Sequence, residues 1–89
     1  MTITIARRCA IVSQDPKQIV AANLRRLRLA AGLSQEELAA RARLHRTYVS
    51  SIERAQRNLT LENIFSLANG LGADARELLT PLANREEGA

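Results

Sequence analysis

A chain of 89 residues that is 46% hydrophobic but only 2% aromatic has room for one small core, which must be built from Leu, Ile, Val and Ala on closely packed helices. Thirteen basic against nine acidic residues leave a net charge of +4 and a pI near 10.6, a balance that favours an acidic partner. One His and one Cys exclude an intrachain disulfide and a Cys/His metal cluster and are poor material for catalysis, so a non-enzyme without cofactor, metal or small-molecule substrate is expected.

Residues 1–15 lack helical periodicity and read as an N-terminal arm. Within it, ITIARRCAIV places arginines where a signal peptide needs its apolar centre, and Cys9 reads as an inert thiol. No apolar run approaches the roughly eighteen residues of a membrane span, so no membrane partner is expected and the cytoplasm is the expected location.

The first helix starts at Pro16, behind the cap Asp15 and with Gln18 placed to reach back. Its apolar positions Val20, Leu24, Leu27 and Ala31 share one face, and Gly32 stops it. Ser34 and Glu37 form a capping box for the second helix, flanked by the staple Leu33 and Leu38, and that helix runs to about Ala42. A turn at Arg43 and Leu44 leads to the third helix, roughly residues 45–54, with Val49 and Ile52 pointing inward alongside Leu44. Thr60, stapled by Leu59 and Ile64, opens the fourth, whose core face is predicted as Leu61, Ile64, Phe65, Ala68 and Leu71, with Gly72 ending it. Gly70 inside that pattern should cost about 1 kcal/mol relative to Ala and fray the last turn. Asp74 and Glu77 start a short fifth helix that Pro81 ends by Leu79 or Thr80. The expected fold is therefore all-α, with five helices over residues 16–82, and the small or charged residues 83–89 form a flexible tail.

The charge is placed unevenly. Residues 41–58 hold five Arg (41, 43, 46, 54 and 57) against one acid, Glu53. Two short helices joined by a tight turn, the second polar and Arg-bearing, have the form of a helix-turn-helix that places its second helix in a DNA major groove. On that helix Arg46 can bond guanine O6 and N7 together, Thr47 can meet a base edge or a thymine methyl, and Ser51 lies one turn further along. His45 at its start is as readily a cap or surface residue as a base contact. Gln35 sits beside the free amides of a helix N-terminus, an arrangement suited to a phosphate oxygen. Beyond the helix, Arg54, Arg57 and Asn58 would clamp the backbone. Tyr48 can pack its ring on the turn while its hydroxyl reaches a phosphate.

These residues closely resemble the lambda-repressor-like, Cro-type helix-turn-helix family, also called the xenobiotic-response-element family, in which L-S-Q-E-E-L-A leads into the turn and the recognition helix ends in I-E-R. The similarity covers about residues 19–79. RTYVSSIERAQRNLT, residues 46–60, looks most like the controller proteins of bacterial restriction-modification systems. The resemblance implies a small homodimer that binds a palindromic operator in double-stranded DNA and regulates its own gene together with that of an endonuclease. It also implies base reading by Arg46 and Thr47, phosphate contacts from Ser50, Gln35, Arg57 and Asn58, a backbone or groove-edge contact from Tyr48, and an ion pair between Arg28 and Glu53 that orients the recognition helix. A phage-type repressor or antitoxin of the same fold, or a protein-interaction module without specific DNA binding, are the alternatives.

The chain departs from the family in having Arg43 and Ala55 where glycines are frequent. A positive φ at either costs roughly 1 kcal/mol, and Arg43 would add a phosphate contact in exchange. Dimerisation also has a physical motive, since one short helix reads too few base pairs for useful specificity. Leu71, Leu78, Leu79 and Leu82 exceed what so small a core can use and are the expected dimer surface.

Overall fold

Four helix starts carry the local chemistry that the sequence predicts. In the computed structural model, which describes residues 15–81, Asp15 accepts the Lys17 N–H at 3.0 Å, Thr60 that of Asn63 at 3.1 Å and Asp74 that of Arg76 at 2.9 Å. Ser34 and Glu37 exchange side-chain-to-backbone bonds of 3.0 and 2.8 Å, a complete capping box. The helices so started are α1 (Pro16–Ala30), α2 (Gln35–Ala42), α4 (Leu61–Leu71) and α5 (Ala75–Leu79). Between them α3 (Arg46–Glu53) begins one residue later than predicted, with His45 at its cap position but making no side-chain cap bond. The described residues contain no strand. The arm up to residue 14 with Cys9, the tail 83–89 and Leu82 lie outside them.

One core joins all five helices. α2 packs on α3 and α4, α1 on α3 and α5, and α4 on α5. Leu24, Leu38, Val49, Ile52, Leu67 and Leu78 are its fully buried side chains, each contributing about 1.5–3 kcal/mol of burial. Leu33, the predicted staple, also joins it.

The predicted face of α4 is rotated in the structure. Leu67 is fully buried and Ala68 nearly so, with Ile64 and Leu71 packed against the core, whereas Leu61 and Phe65 are 68% and 56% exposed. A spacing of three and four residues fits either stripe, and the apolar count alone does not choose between them. Ala31, expected on the core face of α1, is exposed just past the helix end.

Gly70 does not fray α4, which continues to Leu71 and is capped by Gly72 at φ 70°. A Cβ at position 70 would stand 3.2 Å from Leu38 Cδ1 and 3.3 Å from Arg41 Cβ. The missing side chain is what lets α4 lie close against α2, a reason invisible to helix propensity.

Asn23 is a further residue that periodicity does not single out. Fully buried on α1, it donates both amide hydrogens to the end of α5, at 2.9 Å to the Leu78 carbonyl and 2.8 Å to that of Thr80. These are carbonyls for which a helix end supplies no partner.

Candidate nucleic-acid interface

The turn and α3 are held by one buried ion pair. Arg28, near the end of α1, donates from Nε to Glu53 Oε2 at 2.6 Å and from Nη2 to Oε1 at 3.1 Å. Its Nη1 donates to the Leu33 carbonyl at 2.9 Å. The side chains of Arg28 and Glu53 are only 10% and 3% exposed. A forked guanidinium suits this task because it bonds both carboxylate oxygens in one plane. Gln35 also belongs to this group, because its Nε2 donates to Glu53 Oε1 at 3.0 Å. One amide hydrogen of the expected phosphate contact is therefore committed, and that bond aims the carboxamide.

The C-terminal ends of α2 and α3 are each followed by a residue in the left-handed region, Arg43 at φ 61° and Ala55 at φ 60°. After α2 the Leu44 N–H reaches back to the Ala39 carbonyl at 2.8 Å, and after α3 the Gln56 N–H reaches that of Ser51 at 3.0 Å. Both closures need the backbone that glycine adopts at least cost, and here non-glycine residues carry the strain.

With α3 so placed, Arg46 and Thr47 stand exposed on its outer face. They line an open groove of about 560 Å³ between α3 and the start of α2, together with Gln35, Glu36, Ser50 and Arg54. Glu36 approaches Arg46 to 4.0 Å, both side chains being largely exposed, a contact of little stabilising value. Arg54 donates to Ser50 Oγ and, at 3.2 Å, to Gln56 Oε1. The predicted base-reading pair and the predicted phosphate contacts Gln35, Ser50 and Arg54 thus share one face, while His45 stands exposed at its edge.

Ser51 does not join them, which corrects its expected base-reading role. It is buried, its hydroxyl donating to the Tyr48 carbonyl at 2.9 Å and accepting from Arg57 Nε at 3.5 Å. Its hydroxyl is thus spent on its own helix backbone and on Arg57 rather than offered to the groove.

On the other flank of α3 a second cluster forms. The Arg57 guanidinium lies 5.4 Å from the centre of the Tyr48 ring, and the Tyr48 hydroxyl donates to the Asn58 carbonyl at 3.3 Å while accepting from Asn63 Nδ2 at 2.8 Å. These side chains, with Arg43 and His45, border a concavity of about 400 Å³. Asn63, on α4, is a member that the sequence gives no signal for beyond its place in the first turn.

The expected dimer residues separate. Leu78 is fully buried in the monomer core, a correction with a clear cause, since the Asn23 bonds hold α5 against α1. Leu71 is half-buried against the core, whereas Leu79 is 49% exposed. The larger apolar exposure is instead the Leu61–Phe65 stripe of α4.

Two helices joined by a tight left-handed turn, the second presenting a polar face with Arg46 and Thr47 beyond a buried ion pair, define a helix-turn-helix protein. The chain belongs to the helix-turn-helix family, whose description matches residues 24–78. It is 46% identical over 70 residues to the control protein C.SmaI of Serratia marcescens, covering 79% of this chain and 83% of that one. In structure it is similar to a hypothetical transcription factor from Neisseria, with a TM-score of 0.82, 43% identity and coverage of 85% and 87% of the two chains. It also resembles the restriction-modification controller protein C.AhdI from Aeromonas hydrophila, with a TM-score of 0.68, 48% identity and coverage of 70% and 94%. Among the described residues no helix is long and apolar enough to cross a membrane.

Proposed function

We propose that this protein is a sequence-specific DNA-binding transcription regulator of the restriction-modification controller type, and that it acts in the cytoplasm as a homodimer on a palindromic operator. The observation that carries the reading is the fixed exposure of Arg46 and Thr47 on a recognition helix locked by Arg28 and Glu53. From a helix held in that way the Arg46 guanidinium can meet guanine O6 and N7 together, and its planar fork loses little freedom per hydrogen bond formed. The Gln35 carboxamide and the α2 N-terminus beside it supply a phosphate contact on one side, and Arg57 and Asn58 supply contacts on the other. The relatives named as control proteins support the same reading.

Two copies are proposed because eight residues of α3 reach only a few base pairs. The Leu61–Phe65 stripe is the apolar patch proposed for the contact, Leu29 and Leu79 being the other exposed large apolar side chains among the described residues. A selection from random duplex DNA, followed by sedimentation of the free protein, tests both parts. A palindrome with half-sites about one helical turn apart and a dimer at micromolar concentration are expected. Failure to enrich any sequence would leave a protein-interaction module as the better account.

A further inference from the structure

We infer that Asn63 is a positioning residue, which makes the Tyr48 hydroxyl a hydrogen-bond donor toward a DNA phosphate. The inference rests on the DNA-reader reading above and assigns a task to a side chain which that reading did not use. A phenol has one proton and accepts through its oxygen. Asn63 Nδ2 approaches that oxygen to 2.8 Å from the α4 side, so the accepting role is filled from within the protein. The phenol proton is thereby turned outward to the Asn58 carbonyl, on an exposed residue.

That outward bond is the weak one. Its 3.3 Å length exceeds the usual 2.7–2.8 Å of an O–H···O bond, so a phosphate oxygen competes well for the same proton through a charge-assisted bond. Donation from Asn63 polarises the hydroxyl in the helpful direction. Arg57, stacked at 5.4 Å over the ring, supplies positive charge at the same place, and the adjoining concavity holds Arg43 and His45 as well. Ser51 belongs to the same arrangement, because its hydroxyl accepts from Arg57 Nε and so steadies the guanidinium.

Exchanging the donor for an acceptor of the same shape tests the inference. In Asn63→Asp the carboxylate takes the Tyr48 proton and turns it inward, while an acid in the first turn of α4 favours the helix. Operator affinity should therefore fall about tenfold with stability to urea kept, and Asn63→Ala should lose about threefold, in line with the loss of one hydrogen bond. In a Tyr48→Phe background Asn63→Ala should cost nothing further and the loss from Asn63→Asp should shrink by more than half. Because Tyr48 is the sole tyrosine, the intensity ratio of its Raman doublet reads donor against acceptor character without DNA, and Asn63→Asp should move it toward the donor side. An unchanged ratio, or an equal loss from Asn63→Asp with and without the hydroxyl, overturns the inference. A Raman shift as expected in a protein that selects no DNA sequence overturns the DNA-reader reading itself, and the phosphate role with it.

Discussion

Glu53 receives Arg28 at two points, 2.6 Å from Nε and 3.1 Å from Nη2, and no other pair in the described chain ties α1 to α3 with both side chains so fully out of solvent. Removing one member strands a buried charge. Arg28→Ala or Glu53→Ala should therefore cost about 3–5 kcal/mol, whereas the paired replacement Arg28→Met with Glu53→Leu should cost far less. Urea unfolding of the two singles and the double decides the matter, and equal losses in all three would mean that the pair is not what holds α3.

Ala55 sits at φ 60°. Ala55→Gly removes the Cβ penalty of that conformation and should stabilise the fold by about 1 kcal/mol, raising the melting temperature by roughly 4–8 °C for a domain of this size. Calorimetry showing no rise would remove the claim of strain.

At Gly70 two effects oppose one another. Alanine improves helix propensity by about 1 kcal/mol, but its Cβ would meet Leu38 Cδ1 at 3.2 Å and Arg41 Cβ at 3.3 Å, and Leu38 is fully buried with nowhere to go. Overpacking of this kind costs about 1–3 kcal/mol, so Gly70→Ala should lower stability in guanidinium titrations. An increase would show that α2 and α4 part easily.

Arg46 and Arg57 should separate in kind. Arg46→Ala should cost about 1–3 kcal/mol on the preferred site and relax base preference at one position. Arg57→Ala should weaken all sequences alike and reduce the salt slope of binding by about one. Anisotropy titrations over a salt series distinguish the two patterns, and base-specific loss from Arg57→Ala would overturn its assignment to phosphate.

Asp74 carries a pKa lowered to about 2, first by the side-chain hydrogen bond from Arg76 and then by the Arg76 backbone N–H. A depressed carboxylate contributes stability above its unfolded value, near 3.8, and that contribution disappears as pH falls toward 2. Carboxyl carbon NMR should place the midpoint near 2, and Arg76→Ala should return it part of the way to 3.8 because the backbone bond remains. No movement in that variant would assign the shift to another cause.

The helix starts were legible because each is a local event: Asp15, Ser34, Thr60 and Asp74 bond within three residues of themselves. The Arg28–Glu53 pair was legible only through the family resemblance, since the two lie 25 residues apart in the chain. The orientation of α4 was not legible, because Leu61, Phe65, Leu67 and Ala68 are all apolar or small and only the helix axis decides which of them face inward. Ser51 misled for a related reason, as a polar residue on a polar helix gives no sign that it is turned toward its own backbone. Asn23 and Asn63 could not be found from spacing, since their partners lie 55 and 15 residues away.

The absent side chain at position 70 has a consequence beyond packing. By letting α4 rest directly on α2, it fixes the distance from the exposed Leu61–Phe65 stripe to the tip of α3 without a flexible link between them. Were two copies to meet through that stripe, the separation of their reading heads would be a rigid length, and the base-pair interval they accept would be calibrated by a missing methyl group.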